Sequence, residues 1–192
     1  IWSRLVGSEM CIRDSPEPIL TPATKSLEGH DEDISEEEIL AEGIVSTVLW
    51  AEIREKAFEL FKIGQEVARE QGLILVDTKY EFGLNVDELT LIDEVHTTDS
   101  SRYFYFDGYE QRQKDRQPQK QLSKEFLREW LMKNDFQGLN GQNLPDLPDS
   151  FRIEVYKRYE QLYEQLTGSS FTPTIIEDIN SDLKAVFSPY IN

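Results

Sequence analysis

Leu75-Val-Asp-Thr-Lys-Tyr-Glu-Phe-Gly83 alternates polar and apolar residues. Asp77, Lys79 and Glu81 are spaced by two, so an extended strand projects all three from one face. Ile74, Val76, Tyr80 and Phe82 then fall on the opposite face, the alternation of a half-buried strand. Thr90-Leu-Ile-Asp-Glu-Val95 reads as a second strand, and the intervening Gly83 to Glu88 carries the Gly, Asn and Asp of a turn. A hairpin centred near Asp87 sets Glu81 opposite Asp93 and Lys79 opposite Val95. Directly opposed Cβ atoms lie only ~5 Å apart, and like charges there repel. A divalent cation bridging both carboxylates would reverse that sign. Mg²⁺ is the natural candidate, because it takes one or two carboxylates plus substrate phosphates. Lys79 on the same face could meet those phosphates. The other reading of the same spacing is a solvated hairpin face with scattered charges.

Arg102, with Ser100 and Ser101 beside it, has the composition of an anion pocket. A guanidinium grips phosphate through two parallel hydrogen bonds while hydroxyls satisfy the remaining oxygens. The alternative is a turn in which Asp99 and Ser100 cap backbone amides. His96 shares a face with Ile92, opposite Asp93, and reads as a packing histidine.

The string from Leu75 to Gly83 resembles a signature of phosphoribosylaminoimidazole-succinocarboxamide synthase, or SAICAR synthetase. Pro16-Glu-Pro-Ile-Leu-Thr-Pro-Ala-Thr-Lys25 resembles that family's Pro-rich entry to the substrate site. Gly29-His-Asp-Glu-Asp-Ile-Ser35 is similar to its His-Asp-Glu-Asn-Ile-Ser motif, with Asp33 in place of Asn. Leu91-Ile-Asp-Glu-Val-His-Thr-Thr-Asp-Ser-Ser-Arg-Tyr-Phe104 resembles its Asp-Glu to Ser-Ser-Arg-Tyr-Trp segment, with Thr98 standing for Pro and Phe104 for Trp. The motifs keep their order across residues 16–104, and the likeness continues more loosely to about residue 168.

The resemblance implies an α+β fold of the SAICAR synthase type, related to ATP-grasp enzymes and protein kinases, with ATP held between two subdomains. For this chain it implies the C-terminal subdomain, an antiparallel sheet packed with helices. The implied reaction joins the carboxylate of carboxyaminoimidazole ribonucleotide to the amine of L-aspartate, giving SAICAR, ADP and phosphate in purine biosynthesis. ATP and Mg²⁺ are the implied cofactors. Glu81 and Asp93 would hold the metal and, with Lys79, the nucleotide. Lys79 and Asp77 would be catalytic, Asp77 orienting Lys79 or a metal-bound water. Lys25, His30, Asp31, Ser100, Ser101, Arg102, Lys124 and Arg128 would bind substrate, with Arg102 on the ribonucleotide phosphate. Lys124 and Arg128 lie four apart, on one helix face, where the family has a basic pair. An exposed loop cation at Lys25, an incidental His30-Asp31 neighbour pair and an ordinary solvated helix face are the competing readings.

Residues 1–15 fit nothing else in the chain. Gly7-Ser-Glu-Met-Cys-Ile-Arg-Asp-Ser15 resembles a string found at the ends of unrelated translations, so the segment reads as a non-native leader outside the fold. Residues 16–192 are then the C-terminal catalytic portion, with the family's N-terminal subdomain lacking. Neither G-x-x-x-x-G-K-[ST] nor G-x-G-x-x-G occurs in the chain. The expectation is a fragment inactive by itself.

The chain of 192 residues carries a net charge of −17, which argues against nucleic acid or an anionic membrane as partner. No apolar run approaches membrane-spanning length. The single cysteine, Cys11, excludes an internal disulfide and is compatible with a cytoplasmic location. Ser35-Glu-Glu-Glu38 forms a capping box that opens a helix. A longer helix follows from Ser46 to Gln71, stopped by Gly72, with Val45, Leu49, Ile53, Ala57, Leu60, Phe61, Gly64 and Ala68 as its core stripe. The polar stretch after Phe106 up to Gln121 reads as a loop, residues 123–134 as a helix and Gly138 to Asp149 as a loop. Phe151 to Leu166 is an amphipathic helix with Ile153, Val155, Tyr156, Tyr159, Leu162, Tyr163 and Leu166 on its apolar side, and Ile175 to Phe187 is a last helix.

The chemistry that follows is phosphoryl transfer and then amide formation, in which protein groups position and neutralise charge. No Ser-His-Asp or Cys-His arrangement offers a protein nucleophile. Two rivals stand beside the ligase. One is a kinase-like phosphotransferase acting on a small molecule, and the other a noncatalytic acidic interaction module.

Overall fold

The computed structural model describes residues 2–5, 17–24, 32–139, 141–174 and 178–190. Its elements run β1 (Trp2–Leu5), β2 (Thr21–Thr24), β3 (Glu32–Asp33), α1 (Glu36–Ala41), α2 (Thr47–Glu70), β4 (Leu73–Asn85), β5 (Glu88–Ile92) and β6 (Ser101–Tyr105). They continue with α3 (Tyr109–Lys114), β7 (Gln121–Leu122), α4 (Glu125–Lys133), α5 (Asp149–Thr167) and α6 (Ile179–Phe187). The described strands form one antiparallel sheet in the order β3-β2-β1-β4-β6-β7, with β5 paired to β4. Strand β1 falls within the segment set aside as a leader, and it takes a place in the sheet between β2 and β4.

Local signals explain the helices that frame the sheet. The Ser35 hydroxyl accepts from the Glu38 amide at 3.2 Å while the Ser35 amide donates to the Glu38 carboxylate at 2.9 Å, which completes the capping box of α1. Those hydrogen bonds, first to the Ser35 backbone and then to its side chain, hold the Glu38 carboxyl below the usual range. Ser46 caps α2 through Leu49, and Gly72 at φ +70° ends it. Beyond the cap, the Gln71 carbonyl accepts from Gln165 Nε2 at 2.9 Å, and the Gly72 carbonyl accepts from the Phe106 amide at 2.9 Å. Two acceptors just past the helix end thus tie α2 to α5 and β6.

The core lies between α2 and β4. Ala57, Phe61 and Ala68 meet Leu73, Leu75, Tyr80, Tyr103, Leu122 and Leu162. A second cluster joins Ile39 of α1 to Trp50 and Ile53. Burying a side chain such as Leu75 contributes about 2 kcal/mol of transfer free energy. The expected α2 stripe is present, with Trp50 as an addition that the spacing had not singled out.

Three expectations need correction. Strand β4 carries a bulge, because Leu75 pairs Tyr103 whereas Asp77 pairs Arg102, so Val76 is the extra residue. The bulge inverts the facing of the upstream residues, and Leu73 and Leu75, not Ile74 and Val76, share the core with Tyr80. The hairpin register is also shifted by one. Glu81 pairs Ile92 and Asn85 pairs Glu88, leaving Val86 and Asp87 as a two-residue turn with φ of +50° and +66°. Both positive φ values identify a type I′ turn, whose even loop moves every partner by one position. Glu81 is therefore not opposite Asp93, and the Lys79 amide donates to the Ser100 carbonyl at 3.1 Å instead of facing Val95.

The stretch after Phe106 is only partly loop, since it contains α3. Gly108 at φ +75° precedes the helix, and Tyr109 stacks on Phe104 at 6.1 Å. The amphipathic helix expected over Phe151 to Leu166 is present as α5, and its apolar side is largely open: Leu162 is buried, but Ile153, Tyr156, Tyr159 and Tyr163 are exposed. Helix α4 packs on α5 through Phe126 and Trp130, the latter stacked on Phe151 at 4.8 Å, with the Arg158 guanidinium 3.9 Å from the Phe126 ring centroid.

Candidate active site

The bulge at Val76 turns Asp77 and Lys79 toward a cavity of about 500 Å³ bounded by β4, β6 and α4. Strand β6 starts at Ser101, so Ser100 enters the cavity from the end of the β5–β6 connection, and Ser101 and Arg102 from the start of β6. Packing of Phe126 and Trp130 against α5 leaves the other side of α4 to the cavity, which Lys124, Leu127, Arg128 and Leu131 line. Sequence residues that were separate candidates thus share one space: Asp77, Lys79, the Ser100-Ser101-Arg102 run, Lys124 and Arg128. Lys25, His30 and Asp31 lie outside the described residues. Ala23 and Asp33, which pair in β2 and β3 on either side of that segment, line the same cavity.

Each cation here sits beside an acid. Arg102 Nε lies 3.3 Å from Asp77 Oδ2, and their side chains are only 13% and 12% exposed. Lys79 Nζ is 3.5 Å from Glu81 Oε1, Lys124 Nζ is 3.1 Å from Asp99 Oδ1, and Arg128 Nη1 is 3.9 Å from Glu125 Oε2. An arriving anion would replace carboxylate partners in a site already preset with donors. Asp77, for which the expectation was to orient Lys79 or a metal-bound water, lies against Arg102. Asp99 was read only as a turn residue, and its pairing with Lys124 joins segments 25 positions apart, which local spacing does not reveal.

Hydroxyls order the Ser100-Ser101 corner. Thr78 Oγ1 and Ser101 Oγ are 2.8 Å apart in the interior, and the Thr97 amide donates to Ser100 Oγ at 3.1 Å. Ser123, buried at the start of α4, accepts from the Glu125 amide at 3.2 Å. Thr97 Oγ1 also hydrogen-bonds the Glu94 carboxylate. Of the two residues that the turn reading gave as caps, Ser100 accepts from a backbone amide, and Asp99 pairs with Lys124.

Glu81 and Asp93 line no wall of this cavity. Glu81 is half-buried on β4, and Asp93 is exposed at φ +68°, one residue past the end of β5. Among the described residues no cluster of three or more His, Cys, Asp or Glu could hold a metal. Two carboxylates still suit a hard cation that completes its shell with substrate phosphates, so the donor chemistry fits Mg²⁺.

Behind the site His96 is half-buried, and burial pulls its imidazole below the usual histidine range. Burial raises the Tyr80 phenol and pushes the Tyr103 phenol up to about 12, so both stay protonated. No helix of the described residues is long and apolar enough to cross a membrane.

This architecture has known counterparts. The model of the family described as SAICAR synthetase matches residues 12–142. A phosphoribosylaminoimidazole-succinocarboxamide synthase of Cytophaga hutchinsonii is 56% identical over 156 residues, covering 81% of this chain and 50% of that protein. The SAICAR synthase of Saccharomyces cerevisiae, solved with SAICAR, superposes with a TM-score of 0.64 at 36% identity over 82% of this chain and 49% of the yeast one. A SAICAR synthetase solved in complex with ADP shares the fold at a TM-score of 0.61 and 22% identity, over 90% of this chain and 64% of that one. The chain spans about half the length of the curated relatives it matches. With its mixed helix and antiparallel-sheet fold and a matching family model over most of its length, this chain belongs to the SAICAR synthetase family.

Proposed function

We propose that this chain supplies the ribonucleotide-phosphate pocket and one wall of the nucleotide site of an ATP-dependent ligase. That ligase joins the carboxylate of carboxyaminoimidazole ribonucleotide to the amine of L-aspartate. The observation that carries the reading is the convergence of Arg102, Ser100, Ser101, Lys124 and Arg128 on one cavity in a SAICAR synthetase fold. The guanidinium and two hydroxyls suit a phosphate monoester, and Lys124 and Arg128 add charge from α4. Asp77 sets the Arg102 guanidinium through their 3.3 Å pair. Lys25, His30 and Asp31 take the substrate side, Asp31 accepting from the ribonucleotide's amine.

Lys79 meets the nucleotide's phosphates. Glu81 and Asp93 would hold Mg²⁺, which when bound neutralises charge on the β- and γ-phosphates. The substrate carboxylate takes the γ-phosphoryl group to form an acyl phosphate, and aspartate's amine then displaces phosphate. These residues hold and orient the reactants, and none forms a covalent bond to them.

Relatives about twice as long motivate a further part of this proposal, that the 192-residue chain alone does not complete the ATP cleft. The test measures ADP release with ribonucleotide, in the presence and absence of aspartate. The chain alone should release none, and turnover by it would overturn the incomplete-cleft reading. A full-length relative carrying these residues should release ADP only with aspartate. Release without aspartate would favour a kinase. Full-length protein with no Mg²⁺-dependent ATP binding would instead favour a noncatalytic module.

A further inference from the structure

The connection between β5 and β6 enters the left-handed backbone region at Asp93 (φ +68°) and at His96 (φ +56°) without using glycine at either. Such values are uncommon for non-glycine residues, though Asp and His adopt them more readily than most, and surrounding contacts help to hold them. Core contacts surround His96. Its Nε2 lies 2.6 Å from the Tyr80 hydroxyl, and the Tyr103 hydroxyl donates to the His96 carbonyl at 2.8 Å. Both tyrosines are buried, at 0% and 1% exposure, so the two anchor points belong to the core of β4 and β6. The imidazole meets the Tyr80 ring edge-on at a centroid distance of 5.6 Å. Opposite, helix α2 presents Gly64, where a Cβ would come within 2.7 Å of His96 Nε2. Glycine at this point lets the ring seat against the helix.

From His96 a short run of hydrogen bonds leads to the anion pocket. The Ser101 amide donates to the Thr97 carbonyl at 2.9 Å, the Ser100 amide to Thr97 Oγ1 at 3.2 Å, and the Thr97 amide to Ser100 Oγ at 3.1 Å. The Ser100 carbonyl is fixed in turn by the Lys79 amide. We propose that His96 is a positioning residue, which through Tyr80 and Tyr103 holds the β5–β6 connection so that Ser100, Ser101 and Arg102 meet a phosphate monoester together. This inference rests on the ribonucleotide-phosphate reading of the cavity and adds the part that sets its shape. His96 itself does not line that cavity.

The test titrates ribose 5-phosphate into the 192-residue chain, following affinity by calorimetry and the Thr97–Arg102 amides by NMR. His96→Leu should weaken binding roughly five- to tenfold, the scale of one lost coupling between neighbouring groups. His96→Gln, whose amide can reach the Tyr80 hydroxyl, should recover most of that loss, which mere filling of space would not explain. Tyr80→Phe, nearly isosteric, should weaken binding as much as His96→Leu, and the pair should not add. It also keeps the test informative if His96→Leu folds poorly. Arg102→Met separates the two readings. Should Arg102→Met abolish binding while Tyr80→Phe and a folded His96 variant bind like the parent, the positioning role is overturned and the pocket stands. Parent-like binding by Arg102→Met, or no binding by the parent chain, overturns the pocket and this inference with it.

Discussion

The Asp77 carboxylate meets the Arg102 guanidinium at 3.3 Å, on paired positions immediately after the bulge in β4. The bulge places the acid beside the residue proposed to grip the phosphate. Removing one partner of a sheltered ion pair leaves the other charge uncompensated. Arg102→Met should therefore cost about 2 kcal/mol in urea unfolding, below the fully buried range because both side chains keep some exposure. Asp77→Leu combined with Arg102→Met should recover most of that stability without recovering phosphate binding.

His96 couples the same region to pH. Burial lowers its folded pKa, so the unfolded chain binds more protons than the folded one as pH drops below about 6.5. Its stability contribution is thus complete above that value and is lost as pH falls toward the lower folded pKa. The melting temperature should fall between pH 7.5 and 5.5, and His96→Gln should remove part of that slope. An NMR titration of the His96 ring should give a midpoint below the ordinary one.

Gly64 is the counterpart of His96 on α2. Alanine there would favour the helix by about 1 kcal/mol. Against that, its Cβ would come within 2.7 Å of both His96 Nε2 and Leu75 Cδ2, and overpacking costs roughly 1–3 kcal/mol. The ring is held by Tyr80 and cannot yield freely. Gly64→Ala should lower the melting temperature and shift the Thr97 to Ser101 amides.

Val86 occupies the first central position of the type I′ turn at φ +50°, a conformation poorly suited to a β-branched residue. Val86→Asn should stabilise the chain by about 1 kcal/mol, because asparagine tolerates the left-handed region. The side chain is 94% exposed, so little packing is lost. Urea unfolding with an unchanged slope would register the gain.

The metal role proposed for Glu81 and Asp93 has a direct test. With Mn²⁺ standing in for Mg²⁺, paramagnetic broadening should be strongest at both amides, and Glu81→Gln should reduce it at Asp93 as well as at position 81. Broadening of Asp93 unaffected by that change would separate the two carboxylates.

The alternation along β4, the capping box at Ser35 and Glu38, the Gly72 stop and the motif that brings Arg102 beside Ser100 and Ser101 were legible as sequence. Each depends on neighbours within a few residues, where helix and strand periodicity act directly. A one-residue insertion at Val76 and a two-residue turn at Val86 and Asp87 were not, because neither carries a local residue signal and only strand pairing selects them. Helix α3 escaped notice for lack of an apolar period, and the open face of α5 because periodicity reports amphipathicity and not what covers it. The joining of Asp99 to Lys124 and of Tyr80 to His96 belongs wholly to the tertiary structure. Chain segments far apart in sequence carry no local trace of each other, and only the packed sheet brings their side chains within hydrogen-bond reach.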